Sequence, residues 1–445
     1  MAKPTKRRDP LSVRPSSSLA PRNIRRRGRS DDLPAGPLTE PAEAPTHRRL
    51  LIIFIVFFVV SPAVSILVYR LRYATSSTSQ SSAESHPQRP HYVKIDVDYQ
   101  GILGEHSRIP GNVSRRNFEN PVLAYITPWN SKGYDVAKSF NSKFTHLSPV
   151  WYELKSQAGG LALEGRHNVD DGWLLDLRAK GHALILPRVV IETVPKELLT
   201  KKKQRAKAVQ LIIAECKEMG YDGVVIESWS RWAAYGVLQD PNMRTLALQF
   251  VEELGNGLHS VESAIKQNGL QLVYVIGPPS SEKIELHDFG PADLQRLDKV
   301  VDGFSLMTYD FSNPRSPGPN APLKWIQSTL HLLLGGPGNV NRRLARKLWI
   351  GLNFYGNDFV LPAGGGAITG ANYLSLLQKH RPLLQWEKNS EEHFFLYTDD
   401  NNAKHAVFYP SLMSIFLRLE EARGWAAGIS IWEIGQGLDY FYDLL

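Results

Sequence analysis

Cysteine is almost absent: Cys216 is the only one in 445 residues, so the chain cannot close an intramolecular disulfide. Its place inside a helical segment marks it as a small core residue rather than a catalytic thiol. Excess charge is missing from most of the length as well. Residues 1–49 carry 12 Lys+Arg against 5 Asp+Glu, which leaves 40 against 39 for residues 50–445. The formal charge of +8 therefore belongs to a tail, and the rest lacks the basic surplus that a nucleic-acid partner requires. The thirteen histidines form no His-x-x-x-His pair in a helical stretch, and no Cys/His metal spacing occurs, so no metal is expected. Gly364-Gly365-Gly366 lacks the Lys-Ser/Thr of a phosphate loop, and no cofactor is expected either.

One further absence is local. Residues 50–69 contain no charged side chain, and a helix of that length crosses a hydrocarbon core of ~30 Å. Arg48 and Arg49 and the basic tail precede this stretch, whereas only Arg70 and Arg72 closely follow it. That bias predicts a single-pass anchor with the N-terminus in the cytosol and the large C-terminal part in the secretory-pathway lumen or outside the cell. Residues 1–49, rich in Arg, Pro and Ser, are expected to be a disordered cytosolic tail. Residues 70–119 read as a Ser-rich stalk and lead-in, with Asn112 in an Asn-Val-Ser sequon as a candidate glycosylation site.

From about residue 120 the pattern changes to short apolar runs alternating with helical segments. The runs cover 122–127, 144–152, 183–190, 223–227, 272–276, 303–309, 347–355 and 427–434. Helical stretches between them include 171–180, 196–219, 242–267, 323–334 and 411–423. Eight strands alternating with helices over 120–445 predict an α/β fold, a (β/α)8 TIM barrel. Residues 356–410 exceed what a barrel connection needs, so they are expected to form a small insertion after strand seven, with a hairpin loop at 398–404, walling one side of the cleft.

The run at 221–230 ends unusually: a carboxylate at Glu227 and an indole at Trp229 stand one residue apart, and a continued strand would put both on one face at the barrel mouth. Residues 304–310, including Met307, Tyr309 and Asp310, resemble the strand-six Met-x-Tyr-Asp of the chitinase-like barrels of glycoside hydrolase family 18. Trp432 is similar to that family's strand-eight tryptophan. Residues 222–229 stand where the family has Asp-x-x-Asp-x-Asp-x-Glu. In that register Asp222 keeps the first acid, Val225 replaces the second, Glu227 replaces the third and Trp229 replaces the glutamate that protonates the leaving oxygen.

The resemblance implies substrate-assisted chemistry in the family, in which the substrate's own N-acetyl group attacks the anomeric carbon. An indole N–H only donates a hydrogen bond, so Trp229 cannot supply the family's acid. By resemblance Glu227, Tyr309 and Asp310 face the centre of the mouth, and Trp432 is the floor on which a sugar ring stacks. Trp129 and Trp151, at the ends of strands one and two, are further carbohydrate-binding candidates, with Trp229 at the rim. Glu227 has an alternative reading as a buried acid paired with Arg188. Three functions stay open: a membrane-anchored binder of chitin or other N-acetylhexosamine oligosaccharides that does not hydrolyse them efficiently, a glycoside hydrolase using Glu227 or another mouth carboxylate, and an interaction scaffold.

Overall fold

The computed structural model describes residues 93–108, 113–158, 160–261, 269–279, 288–336 and 340–445. The expected membrane span at 50–69 and the sequon at Asn112 lie outside them. Among the described residues no helix is long and apolar enough to cross a membrane.

The strands are β1 (Val122–Ile126), β2 (His146–Pro149), β3 (Tyr152–Gln157), β4 (Gly160–Glu164), β5 (Leu184–Ile185), β6 (Arg188–Ile191), β7 (Gly223–Glu227), β8 (Gln271–Ile276), β9 (Gly303–Leu306), β10 (Leu348–Asn353), β11 (Gly356–Val360), β12 (Gly366–Ile368), β13 (Gln385–Glu387), β14 (Glu392–Thr398), β15 (Lys404–Phe408) and β16 (Gly428–Trp432). The larger sheet runs β4-β3-β6-β7-β8-β9-β10-β16-β1-β2-β5. Val150 and Trp151 separate β2 from β3, and Leu186 and Pro187 separate β5 from β6. Because β2 pairs with β5 while β3 pairs with β6, the ends of that order meet, and eight parallel courses of chain form an α/β barrel. Pro187 has no N–H to give the ladder, which is why the third course breaks there. Leu186 N–H still donates to the Leu147 carbonyl at 2.9 Å, and Val225 N–H to the Pro187 carbonyl at 3.0 Å, so alignment survives the break.

Strand parity sorts the core. Leu123, Tyr125, Leu186, Val225, Val273, Val275 and Trp349 fill the barrel interior, whereas Ala124, Val224, Ile226, Leu272 and Tyr274 belong to the cluster between sheet and helices. Arg188 continues the parity of Leu184 and Leu186, and Glu227 that of Val225, which aims both toward the barrel axis at its C-terminal end.

The helices that matter here are α1 (Lys202–Met219), α2 (Trp229–Ala234) and α3 (Pro241–His259), which surround the course of β7. The single helix expected over 196–219 is two, Pro195–Leu199 and α1. α1 stops at Gly220, whose left-handed φ of 64° suits glycine. The chain then enters β7 through Asp222, whose carboxylate accepts from the Ile185 N–H at 2.7 Å. The first acid of the 222–229 run is thus a splint between neighbouring strands. Gly223 follows at φ 156°, with the Gln271 carbonyl so close that a Cβ would meet it at 2.1 Å.

The insertion is larger than a hairpin. It is a five-stranded sheet in the order β12-β11-β15-β14-β13, all antiparallel, with a helix at Gly370–His380. The hairpin predicted at 398–404 is present, since Thr398 pairs with Lys404. Glu392 ties the insertion to the loop after β9 by accepting from Asn320 N–H at 2.9 Å and Ala321 N–H at 2.7 Å. Arg418 of the helix Leu412–Trp425 pairs with Glu392 at 3.2 Å and donates to the carbonyls of Ala321 and Ser390.

Candidate functional site

At the C-terminal end of the barrel, Arg188 from β6 and Glu227 from β7 form an ion pair, both largely shielded from solvent. The Arg188 guanidinium also lies over the Trp432 ring, its Cζ 4.9 Å from the centroid, and 5.9 Å from the Tyr125 centroid. Tyr125 and Trp432 themselves touch at 5.2 Å between centroids. Beneath them Tyr125 Oη donates to Ser305 Oγ at 2.9 Å, and Ser305 Oγ to Ser430 Oγ at 3.1 Å. Burial pushes the Tyr125 phenol up to about 12 and lowers the Arg188 guanidinium from its ordinary value. The centre of the mouth is therefore an arginine stacked on two rings and paired with Glu227.

Tyr309 is half-buried and sits edge-on to Tyr355 at 6.3 Å, with its phenol raised by burial. Asp310 is exposed at φ 60°, a conformation that aspartate tolerates better than most residues. Its N–H donates to Asn320 Oδ1 at 2.7 Å, and its carboxylate accepts from the Tyr355 hydroxyl. Asp310 is thus held by the first residues after β10 and by the loop that Glu392 braces.

Trp229 departs from expectation. β7 ends at Glu227, Ser228 turns the chain, and Trp229 opens α2 instead of extending the strand. Parity along a strand no longer applies there, and the indole is 3 % exposed. It packs edge-on against Phe289 at 5.0 Å, with Arg244 Cζ 5.3 Å from its centroid. It is a core residue behind the sheet and not a rim residue.

An open groove of about 750 Å³ runs from Glu227 and Arg188 outward. Trp129, Glu153, Lys155, Glu192, Arg231 and Tyr235 are among the residues lining it. Trp151 forms part of its wall but is 2 % exposed, its Nε1–H donating to the Tyr134 hydroxyl at 2.8 Å. Trp129 is 71 % exposed. Trp432, Tyr309 and Asp310 do not line this groove, and neither does any residue of the 356–410 insertion. This groove is walled by the β3–β4 hairpin and by α2 with its following residue Tyr235. Sequence reasoning missed Tyr125, Tyr355, Glu192, Arg231 and Tyr235. Tyr125 shares the inward parity of Leu123 and was within reach of that signal, whereas the others depend on loop and helix placement.

Among the described residues no group of His, Cys, Asp and Glu is arranged to hold a metal ion. Glu433 is a buried acid near the same end. It accepts from Asn130 Nδ2–H and from Gly435 N–H at 2.9 Å, and burial raises its carboxyl to about 7.

With this geometry in place, comparison with known proteins adds the following. The profile of glycosyl hydrolases family 18 matches residues 196–437, more than half of the chain. A cortical fragment-lytic enzyme of Bacillus subtilis is 26% identical over 205 residues, covering 44% of this chain and 44% of its own length. The sporulation-specific glycosylase YdhD of the same organism is 24% identical over 250 residues, 54% of this chain and 53% of its own length. The chain thus spans about half the length of these curated relatives. Among solved structures, a chitinase from Chromobacterium violaceum superposes with TM-score 0.61 at 18% identity, over 73% of this chain and 97% of that one. A chitinase mutant from Cycas revoluta in complex with (GlcNAc)4 gives TM-score 0.59 at 16% identity, over 72% and 97%. At these identities the structural matches speak for the fold.

Proposed function

The chain belongs to glycosyl hydrolases family 18, and from that premise we propose that it is a membrane-anchored, chitinase-like protein that binds chitin or other N-acetylhexosamine oligosaccharides without hydrolysing them efficiently. The observation that carries this reading is the state of residues 227 and 229. Trp229 is buried and carries no acid, and Glu227 is tied to Arg188, so neither position offers a free proton donor to a glycosidic oxygen. The groove beside them pairs aromatic rings with hydrogen-bonding side chains, the combination that sugar recognition uses. A chitinase neighbour that holds (GlcNAc)4 favours the same ligand class for this chain. The finer resemblance of residues 124–135 and 435–443 to chitinase domain-containing protein 1 is part of this proposal, as are the anchor at 50–69, the lumenal or extracellular barrel and the glycan at Asn112.

A second reading, an active hydrolase, is favoured by the lytic and glycosylase names of the curated relatives. Its acid would be Glu227 or another mouth carboxylate. The test incubates the purified full chain with a fluorogenic chitooligosaccharide and, separately, titrates it with unlabelled oligomers by calorimetry. Heat of binding without turnover supports the proposal. Turnover that vanishes in Glu227→Gln sinks it in favour of the hydrolase, and silence in both assays leaves an interaction scaffold.

A further inference from the structure

Asn130, the last residue before the helix Ser131–Ser139, and Glu433, the first after β16, are bonded side chain to side chain. β1 and β16 are parallel neighbours, so this bond joins the segments that leave their C-terminal ends. Asn130 spends its amide there and gives no side-chain cap to its own helix. The backbones meet as well, since a Cβ on Gly435 would lie 2.4 Å from Gly133 N. A second tie, from Lys132 Nζ to the Gly437 carbonyl at 3.0 Å and to Asp439 at 3.1 Å, involves half-exposed charges and is correspondingly weak. The bond to buried Glu433 is thus the firmer side-chain link on the loop where Trp129, 71 % exposed, directly precedes Asn130.

Both Glu433 oxygens accept hydrogen bonds: Oε1 from Asn130 Nδ2–H, and Oε2 from Gly435 N–H at 2.9 Å. That arrangement fits a carboxylate, which only accepts, whereas a proton on either oxygen meets a donor. Proton uptake must displace one of the two donors or turn the Asn130 amide over. Each course exchanges a charge-assisted bond for a neutral one of about half the strength. Burial pulls the other way and raises the carboxyl to about 7, against the Gly435 and Asn130 bonds and the Lys132 charge, so both forms are accessible near neutrality. Among the other charged and titratable groups around it, Asp439 is paired with Lys132, Tyr409 donates to the carbonyls of Phe354 and Gln436, and Tyr442 donates to that of Ile434. Burial raises both phenols well above their ordinary value, so neither ionises where Glu433 does. We propose that Glu433 is a pH-operated latch and the positioning residue of Trp129: ionised, it holds the loop that carries the exposed indole, and proton uptake loosens that seat and weakens the ligand grip of the groove Trp129 lines. The proposal rests on the carbohydrate-binding reading for its ligand and adds a control to it.

The test is fluorine NMR of the full chain carrying fluorotryptophan, with the Trp129 line assigned as the one lost in Trp129→Phe, over a range from about pH 5.5 to about pH 8.5. In the wild type this line is expected to move with a midpoint near 7. Glu433→Gln, neutral throughout, should hold it at its acid position. Asn130→Ala cuts the same bond without touching the buried acid, and should abolish the movement even if Glu433→Gln fails to fold. A wild-type line that stays flat overturns the latch. A movement that persists in both variants belongs to another titrating group, such as His167 of the groove, and overturns it equally. In calorimetry, N-acetylchitotetraose should bind the wild type at least about threefold more tightly at about pH 8 than at about pH 6, a difference lost in Asn130→Ala. Equal affinity at both pH values overturns the latch's control of binding. If the tetramer does not bind at either pH, the carbohydrate-binding reading fails, while the fluorine line still decides whether Glu433 seats Trp129.

Discussion

Arg188 and Glu227 face each other across β6 and β7 with little solvent between them. Removing one partner of such a pair leaves a shielded charge without compensation, whereas removing both leaves only a packing defect. Arg188→Met should therefore lower unfolding free energy by about 3 kcal/mol in a denaturant titration, with Arg188→Met/Glu227→Gln recovering much of the loss. A double variant no more stable than the single one would show that the pair is not the dominant contact. Glu433 supplies a pH signature. Its carboxyl is raised to about 7 in the folded chain by burial, so the folded state holds its proton more tightly than the unfolded state does. The stabilisation is present below the ordinary carboxylate range and is lost as pH rises through about 7. Unfolding midpoints should fall between pH 5 and 8 by an amount on the order of 1 kcal/mol or more, and Glu433→Gln should flatten that decline.

At the scale of elements, the junction of β7 and α2 decides what position 229 can do. A strand two residues longer would have carried the indole to the mouth, but Ser228 ends the strand and helical geometry swings Trp229 behind the sheet onto Phe289. Trp229→Glu, which writes the family's acid back into the sequence, should therefore not create a hydrolase. It should cost about 3 kcal/mol or more through lost core packing, read as a lower denaturation midpoint with turnover still at background. Appearance of chitooligosaccharide cleavage in that variant would refute the placement. The insertion also acts at this scale. It braces the loop bearing Asn320 and Ala321 through Glu392 and Arg418, and through that loop it sets Asp310. Arg418→Met should loosen this corner, seen as faster amide exchange at 320 and 321, while the groove by Trp129 is untouched.

For the whole molecule, the proposed anchor makes a direct prediction. The full chain should resist alkaline extraction from membranes, a chain lacking residues 1–72 should not, and Asn112→Gln should remove a glycan-sized increment in mass if the barrel faces the lumen. Much of the architecture was legible in one dimension. Alternation of apolar runs with helical stretches announced eight strands, β7 was bounded at 223 and 227, and the excess length between β10 and the last helix announced an insertion, because period and length are local properties of the chain. The 222–229 register also specified the chemical loss, since a side chain's capacity to ionise is written in its identity. What only the tertiary structure decided was direction and company: that Glu227 is spoken for by Arg188, that Arg188 covers Trp432, that Trp229 turns inward, and that Trp129 and Tyr235, more than a hundred residues apart, line one groove. These depend on where strands break and loops cross, and a barrel brings together residues from different courses that no period in the sequence relates.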